Sequence, residues 1–168
     1  MIDMVTIGFS KPKNKVLPIG SWAIRLFMKT SYSHVYIRFY SESINRTLIY
    51  EAVGVGGVRF IGEKLWNTKA TEIKSFTLKV KKNNSTTLLQ ELVDDCGIDY
   101  GHLQNLGIFL ARIFNWKKNP WRKGKNCSEI VAKFLKSEGY QLDKAIDLIT
   151  PKDIESMLLS KIQNLECP

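Results

Sequence analysis

Cysteine and histidine are scarce in this sequence of 168 residues: Cys96, Cys127 and Cys167, His34 and His102. The cysteines are odd in number and show no CxxC spacing, which argues against both a disulfide framework and a zinc ribbon. A His/Cys metal site would need nearly all five of these side chains at once, so neither a metal nor another cofactor is expected. Long apolar runs are missing as well. No stretch approaches the roughly 20 residues of a membrane-spanning helix. Met1-Ile2-Asp3-Met4 lacks the basic region and cleavage site of a signal peptide. The expected location is therefore cytoplasmic, or a virion or the cell envelope if a lysis system or an unusual export route delivers the protein. Richness in Lys, Asn and Ile is compatible with a bacterial or phage origin. Low-complexity tracts are absent too, and 44% hydrophobic residues suffice for one compact domain, taken as residues 1–168.

Acidic residues are missing from one particular stretch. Between Tyr100 and Ser128 there is none, while Arg112, Lys117, Lys118, Arg122, Lys123 and Lys125 fall there, in a chain of formal charge +9. Such a block suits an anionic partner: phospholipid, cell-wall polymer, nucleic acid or a carboxylate-bearing substrate. A solvated basic loop accounts for the charge equally well.

What is present reads as strands first and helices later, which indicates an α+β domain. Val5–Phe9 alternates as a short strand, Ser10–Pro18 reads as a loop and Ile19–Met28 as a helix. Strands follow at His34–Tyr40 and Thr47–Val53, joined by a hairpin loop at Ser41–Arg46, before Gly54, Gly56 and Gly57 break the pattern. Ile73–Val80 is a further strand. A helix closed by Gly97 carries Leu88, Leu89, Leu92, Val93 and Cys96 as its stripe, and Leu103–Phe114 is a second helix, apolar on most sides. Asn115–Lys125 is a loop, Asn126 starts the next helix and Gly139 stops it. Thr150-Pro151 opens a last helix as cap and first residue.

The chemistry-bearing residues begin at Asn126-Cys127-Ser128-Glu129. With Asn126 as N-cap, Glu129 completes a capping box and Cys127 falls in the first turn. The free amides and positive dipole end of a helix favour a thiolate, and Lys123 and Lys125 push the same way. A thiolate attacks carbonyls; a small buried hydrophobe is the other common use of cysteine. In His34–Tyr40, Val35, Ile37 and Phe39 share one face, and His34, Tyr36, Arg38 and Tyr40 the other. A four-residue hairpin loop places Glu51 directly opposite His34, and a six-residue loop places it diagonally, within roughly 7–8 Å. A carboxylate in the strand Leu48–Val53 wants a partner, and an imidazole oriented by it is what nucleophile–base–orienter catalysis requires. Tyr100, between two helices, is placed to donate to a developing oxyanion or simply to pack. No chemistry is assigned to His102; Cys96 reads as core and Cys167 as inert.

Ser-His-Val on an early strand, Tyr-Glu-Ala on the next and Asn-Cys-Ser-Glu-Ile-Val at a late helix start resemble the permuted papain-like amidases. These are circularly permuted relatives of the NlpC-type cell-wall peptidases and include the YiiX-like proteins, with lecithin:retinol acyltransferase more distant. The resemblance runs from about Val5 to Leu158. It implies a papain-like fold, an antiparallel sheet packed against helices that include the Cys-bearing one. It implies further that Cys127 is the nucleophile, His34 the base and then acid, and Glu51 the residue that orients His34. The Cys127 N–H, with Tyr100, would form the oxyanion site. The implied reaction is hydrolysis of an amide, in a peptidoglycan peptide, an isopeptide or an N-acyl lipid, through a thioester; acyl transfer is the variant. Trp116, Lys117, Lys118, Trp121, Arg122, Lys123 and Lys125 are candidates for holding an anionic substrate or surface. The other reading is a catalytically inert basic module for nucleic acid, an anionic surface or a protein partner, with Arg112–Lys125 as its working surface.

Overall fold

The computed structural model describes residues 3–13, 19–80, 85–121 and 123–166; Arg122 and Cys167 lie outside them. Five strands form one antiparallel sheet: β1 (Met4–Pro12), β2 (His34–Ser41), β3 (Arg46–Val53), β4 (Gly57–Gly62) and β5 (Ala70–Lys79), in the order β4-β3-β2-β1-β5. The helices are α1 (Ile19–Met28), α2 (Glu63–Lys69), α3 (Ser85–Asp94), α4 (His102–Ile113), α5 (Cys127–Ser137) and α6 (Pro151–Glu166). The architecture is α+β, with most helices after the sheet. Among the described residues, no helix is long and apolar enough to cross a membrane.

Period-two alternation assigns the two faces of the sheet. Val5, Ile7 and Phe9 of β1 join Val35, Ile37 and Phe39 of β2 in the main core, where α5 lays Ile130, Val131, Phe134 and Leu135 across them. Each of these side chains is essentially buried, and each contributes about 1.5–3 kcal/mol by leaving water. Two helix ends in this layer have a local cause. Gly139, at φ +89°, follows the end of α5. Thr150 and Asp153 cap α6 reciprocally, Thr150 Oγ1 accepting the Asp153 N–H at 3.3 Å and Asp153 Oδ2 accepting the Thr150 N–H at 2.9 Å.

The opposite face buries a smaller cluster, Tyr36, Ile49, Ile61 and Trp66. Its cover is α2, which the sequence reading does not anticipate, and β4 is likewise unanticipated. Gly57 explains the second omission. It lies at φ +60°, and a Cβ there would stand 2.3 Å from the Ile98 carbonyl oxygen, which accepts the Val58 N–H at 2.9 Å. The glycine that reads as a break is what lets β4 start against the segment leading to Tyr100. The strand at Val5–Phe9 also runs on through Ser10–Pro12, expected as loop, past a register shift at Phe9/Ser10. The β2–β3 hairpin pairs Ser41 with Arg46 and Tyr40 with Thr47, and this continues to Ile37 with Tyr50. That is the looser of the two registers considered. Extended three pairs further, to His34 opposite Val53, it sets Glu51 diagonally from His34.

Candidate active site

Asn126 stands in extended conformation just before α5, and its Oδ1 accepts the Glu129 N–H at 2.9 Å. The Glu129 carboxylate lies toward the Asn126 N–H in return, the arrangement of a capping box. Gln104 of α4 donates to Glu129 at 2.6 Å, which ties a second helix to this turn. Cys127 is the first residue held in place by it. The thiol is 5% exposed, and its sulfur is approached by the His34 imidazole, the Val35 N–H and the Ser128 hydroxyl. The Tyr100 phenol faces it as well.

His34 opens β2 at the end of the sheet, 18% exposed along its side chain. Its Nε2 lies 3.2 Å from Glu51 Oε2, which leaves Nδ1 for the sulfur. Glu51 is nearly enclosed, yet none of its lone pairs is wasted. Arg59 donates Nε and Nη2 to Oε1 at 3.1 and 2.8 Å, and Trp66 donates Nε1 to Oε2 at 3.1 Å. A buried carboxylate held by an arginine fork stays ionised. Arg59 faces Glu51 directly across β3 and β4, and Trp66 reaches it from α2. Neither was singled out from the sequence, because both belong to the elements that the reading missed. The apolar alternation Val58, Phe60 around Arg59 is the signal that would have found the first.

The charges follow from these contacts. Burial opposes an imidazolium at His34, but hydrogen bonds to Cys127 and Glu51 outweigh it and hold the ring up at about 10. Burial likewise opposes the thiolate, and the His34 contact, the Val35 amide and Ser128 pull Cys127 below the ordinary thiol value. Glu51 is held down at about 2, against burial, by His34 and then Arg59. Tyr100 is pushed far above the usual tyrosine value by burial and the Cys127 charge. It remains a phenol, its oxygen accepting from Asn105 Nδ2 at 2.9 Å, with the O–H proton left to donate.

Two recesses flank the pair and share Ile24, Ser33, Tyr100, His102 and Asn105 as a common wall. One, of about 430 Å³, is largely apolar, runs between α1 and α4 and has Cys127 and Ser128 in its lining. The other, of about 630 Å³, is lined by His34, Glu51 and Arg59. His102, without a role in the sequence reading, sits edge-on to Tyr100 at 5.0 Å and bonds the Gly54 carbonyl through Nε2 at 3.1 Å. No family model matches the chain, and no curated protein matches it in sequence.

The basic segment is fastened rather than free. Asn119, fully buried, donates Nδ2 to the carbonyls of Gln104 and Asp147 at 2.8 and 3.2 Å. Gly107 makes room for it, since a Cβ there would lie 1.9 Å from Asn119 Oδ1. Lys125 pairs with Asp95 at 2.5 Å and Arg112 with Asp153 at 2.6 Å, so an acidic partner from outside the segment reaches each. Trp121 and Lys123 line a groove beside Tyr100 and His102. Trp116 stacks on Phe114, and Lys117 and Lys118 are exposed. Among the described residues, no group of three or more His, Cys, Asp and Glu is placed to hold a metal ion.

Proposed function

We propose that this chain is a cysteine hydrolase of the permuted papain-like kind that cleaves an amide through a thioester on Cys127. One observation carries the reading: a depressed thiol at a helix N-terminus faces an imidazole whose other nitrogen rests on a buried, ionised carboxylate. The order of His strand before Cys helix suits the permuted arrangement.

In the proposed cycle, Sγ of Cys127 attacks the amide carbonyl, and the oxyanion that forms accepts hydrogen bonds from the Cys127 N–H and the Tyr100 O–H. His34, as imidazolium, gives its proton to the departing amine as the C–N bond breaks. A water then attacks the thioester, His34 takes its proton, and the C–S bond breaks to release the acid. Glu51 keeps the ring oriented throughout. Replacing the water with an amine or alcohol turns the same cycle into acyl transfer. A peptidoglycan peptide, an isopeptide and an N-acyl amide all suit the chemistry, and the apolar recess beside the sulfur favours an acyl group there. The inert basic-module reading has less support, because Arg112 and Lys125 are ion-paired within the protein.

Thiol alkylation across pH tests the reading. Cys127 is expected to react well ahead of the half-buried Cys96, with an apparent pKa below the roughly 8.5 of a free cysteine. An activated ester should leave an acyl adduct on Cys127 and none on Cys127→Ala. Equal sluggishness of both thiols would sink the proposal.

A further inference from the structure

The two helices beside the apolar recess carry an outer face that the proposed chemistry does not use. On α1, Trp22 and Leu26, one turn apart, are 52% and 62% exposed. On α4, Leu106, Phe109 and Ile113 form an exposed stripe at helical spacing, while Gln104, Ile108 and Ala111 turn inward. The Phe27 ring meets Phe109 edge-on at 4.7 Å, and the Arg112 guanidinium sits 5.8 Å from the Phe27 ring. The helices therefore meet at these two rings, with exposed apolar residues on each. Beyond the end of α4, Phe114 and Trp116 are exposed as well and stacked at 5.5 Å. Scattered exposed apolar residues are ordinary, but exposed apolar stripes on two helices that meet mark a contact surface.

Charge says what the surface contacts. No acidic residue occurs from Met4 to Ser41, just as none occurs from Tyr100 to Ser128, and the whole face is drawn from these two segments. Lys29 follows α1 directly, and Lys117 and Lys118 follow Trp116; all three are exposed. Arg112 is neutralised by Asp153, so the lysines are the cations that border the face. A second copy of the chain would bring like charges together there. Aromatic rings and lysines at the edge of an apolar face are the composition of an interfacial helix.

We propose that the face shared by α1 and α4 docks on an anionic phospholipid bilayer, with Trp22, Leu26 and Ile113 at the acyl boundary and Lys29, Lys117 and Lys118 on lipid phosphates. Docking brings Phe27 and Phe109, which line the recess where the two helices meet, close to the bilayer. If the hydrolase reading holds, an acyl-bearing substrate then reaches Cys127 from the membrane side. The docking itself is independent of that reading.

Sedimentation with vesicles tests it, using phosphatidylcholine mixed with phosphatidylserine, and phosphatidylcholine alone. The full chain is expected to bind the mixed vesicles with a blue shift in tryptophan emission. Trp22→Ser with Leu26→Ser should weaken partition by about tenfold or more. Lys117→Ser and Lys118→Ser should each weaken it by roughly fivefold. Cys127→Ala should bind like the parent, which separates this outcome from any failure of catalysis. Lys64→Ser with Lys69→Ser, on α2, should change nothing beyond the parent, and thermal melts should show every variant folded. The proposal is overturned if mixed vesicles leave the protein in the supernatant. It is overturned equally if the α2 pair weakens binding as much as Lys117 and Lys118 do, or if the free protein is a dimer that the α1 variant dissociates.

Discussion

His34 meets Glu51 across a strand diagonal, Nε2 to Oε2 at 3.2 Å, while Arg59 takes the place directly opposite Glu51 on the other side. The carboxylate thus bridges a fixed cation and an ionisable one. An imidazole so held keeps Nδ1 aimed at the sulfur of α5 and gains a counter-charge that water cannot easily screen.

The first consequence is a titration. His34 is held at about 10 against an ordinary 6.5, with the sulfur as its leading favourable partner. In Cys127→Ala the ring loses that partner, and its pKa is expected to fall toward 6.5. A proton NMR titration of the His34 ring reads this directly. A parent protein whose His34 titrates near 6.5 would contradict the ion pair.

Glu51 should leave a mark on stability in acid. Its carboxyl is lowered from 4.5 to about 2, so the stabilisation is complete above about 4.5 and is lost as pH falls through about 2. Glu51→Gln is expected to cost on the order of 3 kcal/mol at neutral pH, because Arg59 and His34 lose a buried counter-charge. Its urea-denaturation profile should also flatten between those two pH values. Parallel profiles for parent and variant would count against the assignment.

Tyr100 can be separated from the thiol by choice of reagent. Alkylation by iodoacetamide forms no oxyanion, whereas acylation by an activated ester does. Tyr100→Phe is expected to slow acylation by about a hundredfold and to leave alkylation nearly unchanged. A loss common to both reactions would make Tyr100 a packing residue.

The cap of α5 has a measurable share in stability. Asn126→Ala removes the acceptor for the Glu129 N–H and should cost about 1–2 kcal/mol by chemical denaturation. Asn126→Ser, which keeps an acceptor oxygen, should recover most of it. The alanine variant should also alkylate more slowly at Cys127, since the turn that carries the thiol is no longer fixed.

The parts of this molecule that a sequence can announce are the local ones. The α5 cap is legible because Asn126 and Glu129 are three residues apart, and the face of His34 is legible because strand alternation has a fixed period. The looser hairpin register was one of two that alternation allows, and only packing of the sheet selects between them. Arg59 and Trp66 stayed hidden for another reason. The strand bearing Arg59 is six residues long with a glycine at each end, so its Val58/Phe60 alternation is too short to stand out, and α2 buries Trp66 alone and shows no hydrophobic period. The ion pairs of Lys125 and Arg112 join residues far apart in the chain, and no charge count along the sequence reveals them.

Trp66 gives the protein a built-in reporter. Its indole N–H donates to the same Glu51 oxygen that faces His34, from a side chain almost wholly out of water. Any event that alters the protonation of that carboxylate or the position of that ring must shift one indole resonance in the spectrum, with no label attached. Occupation of the groove by a ligand can then be followed residue by residue before its turnover product is known.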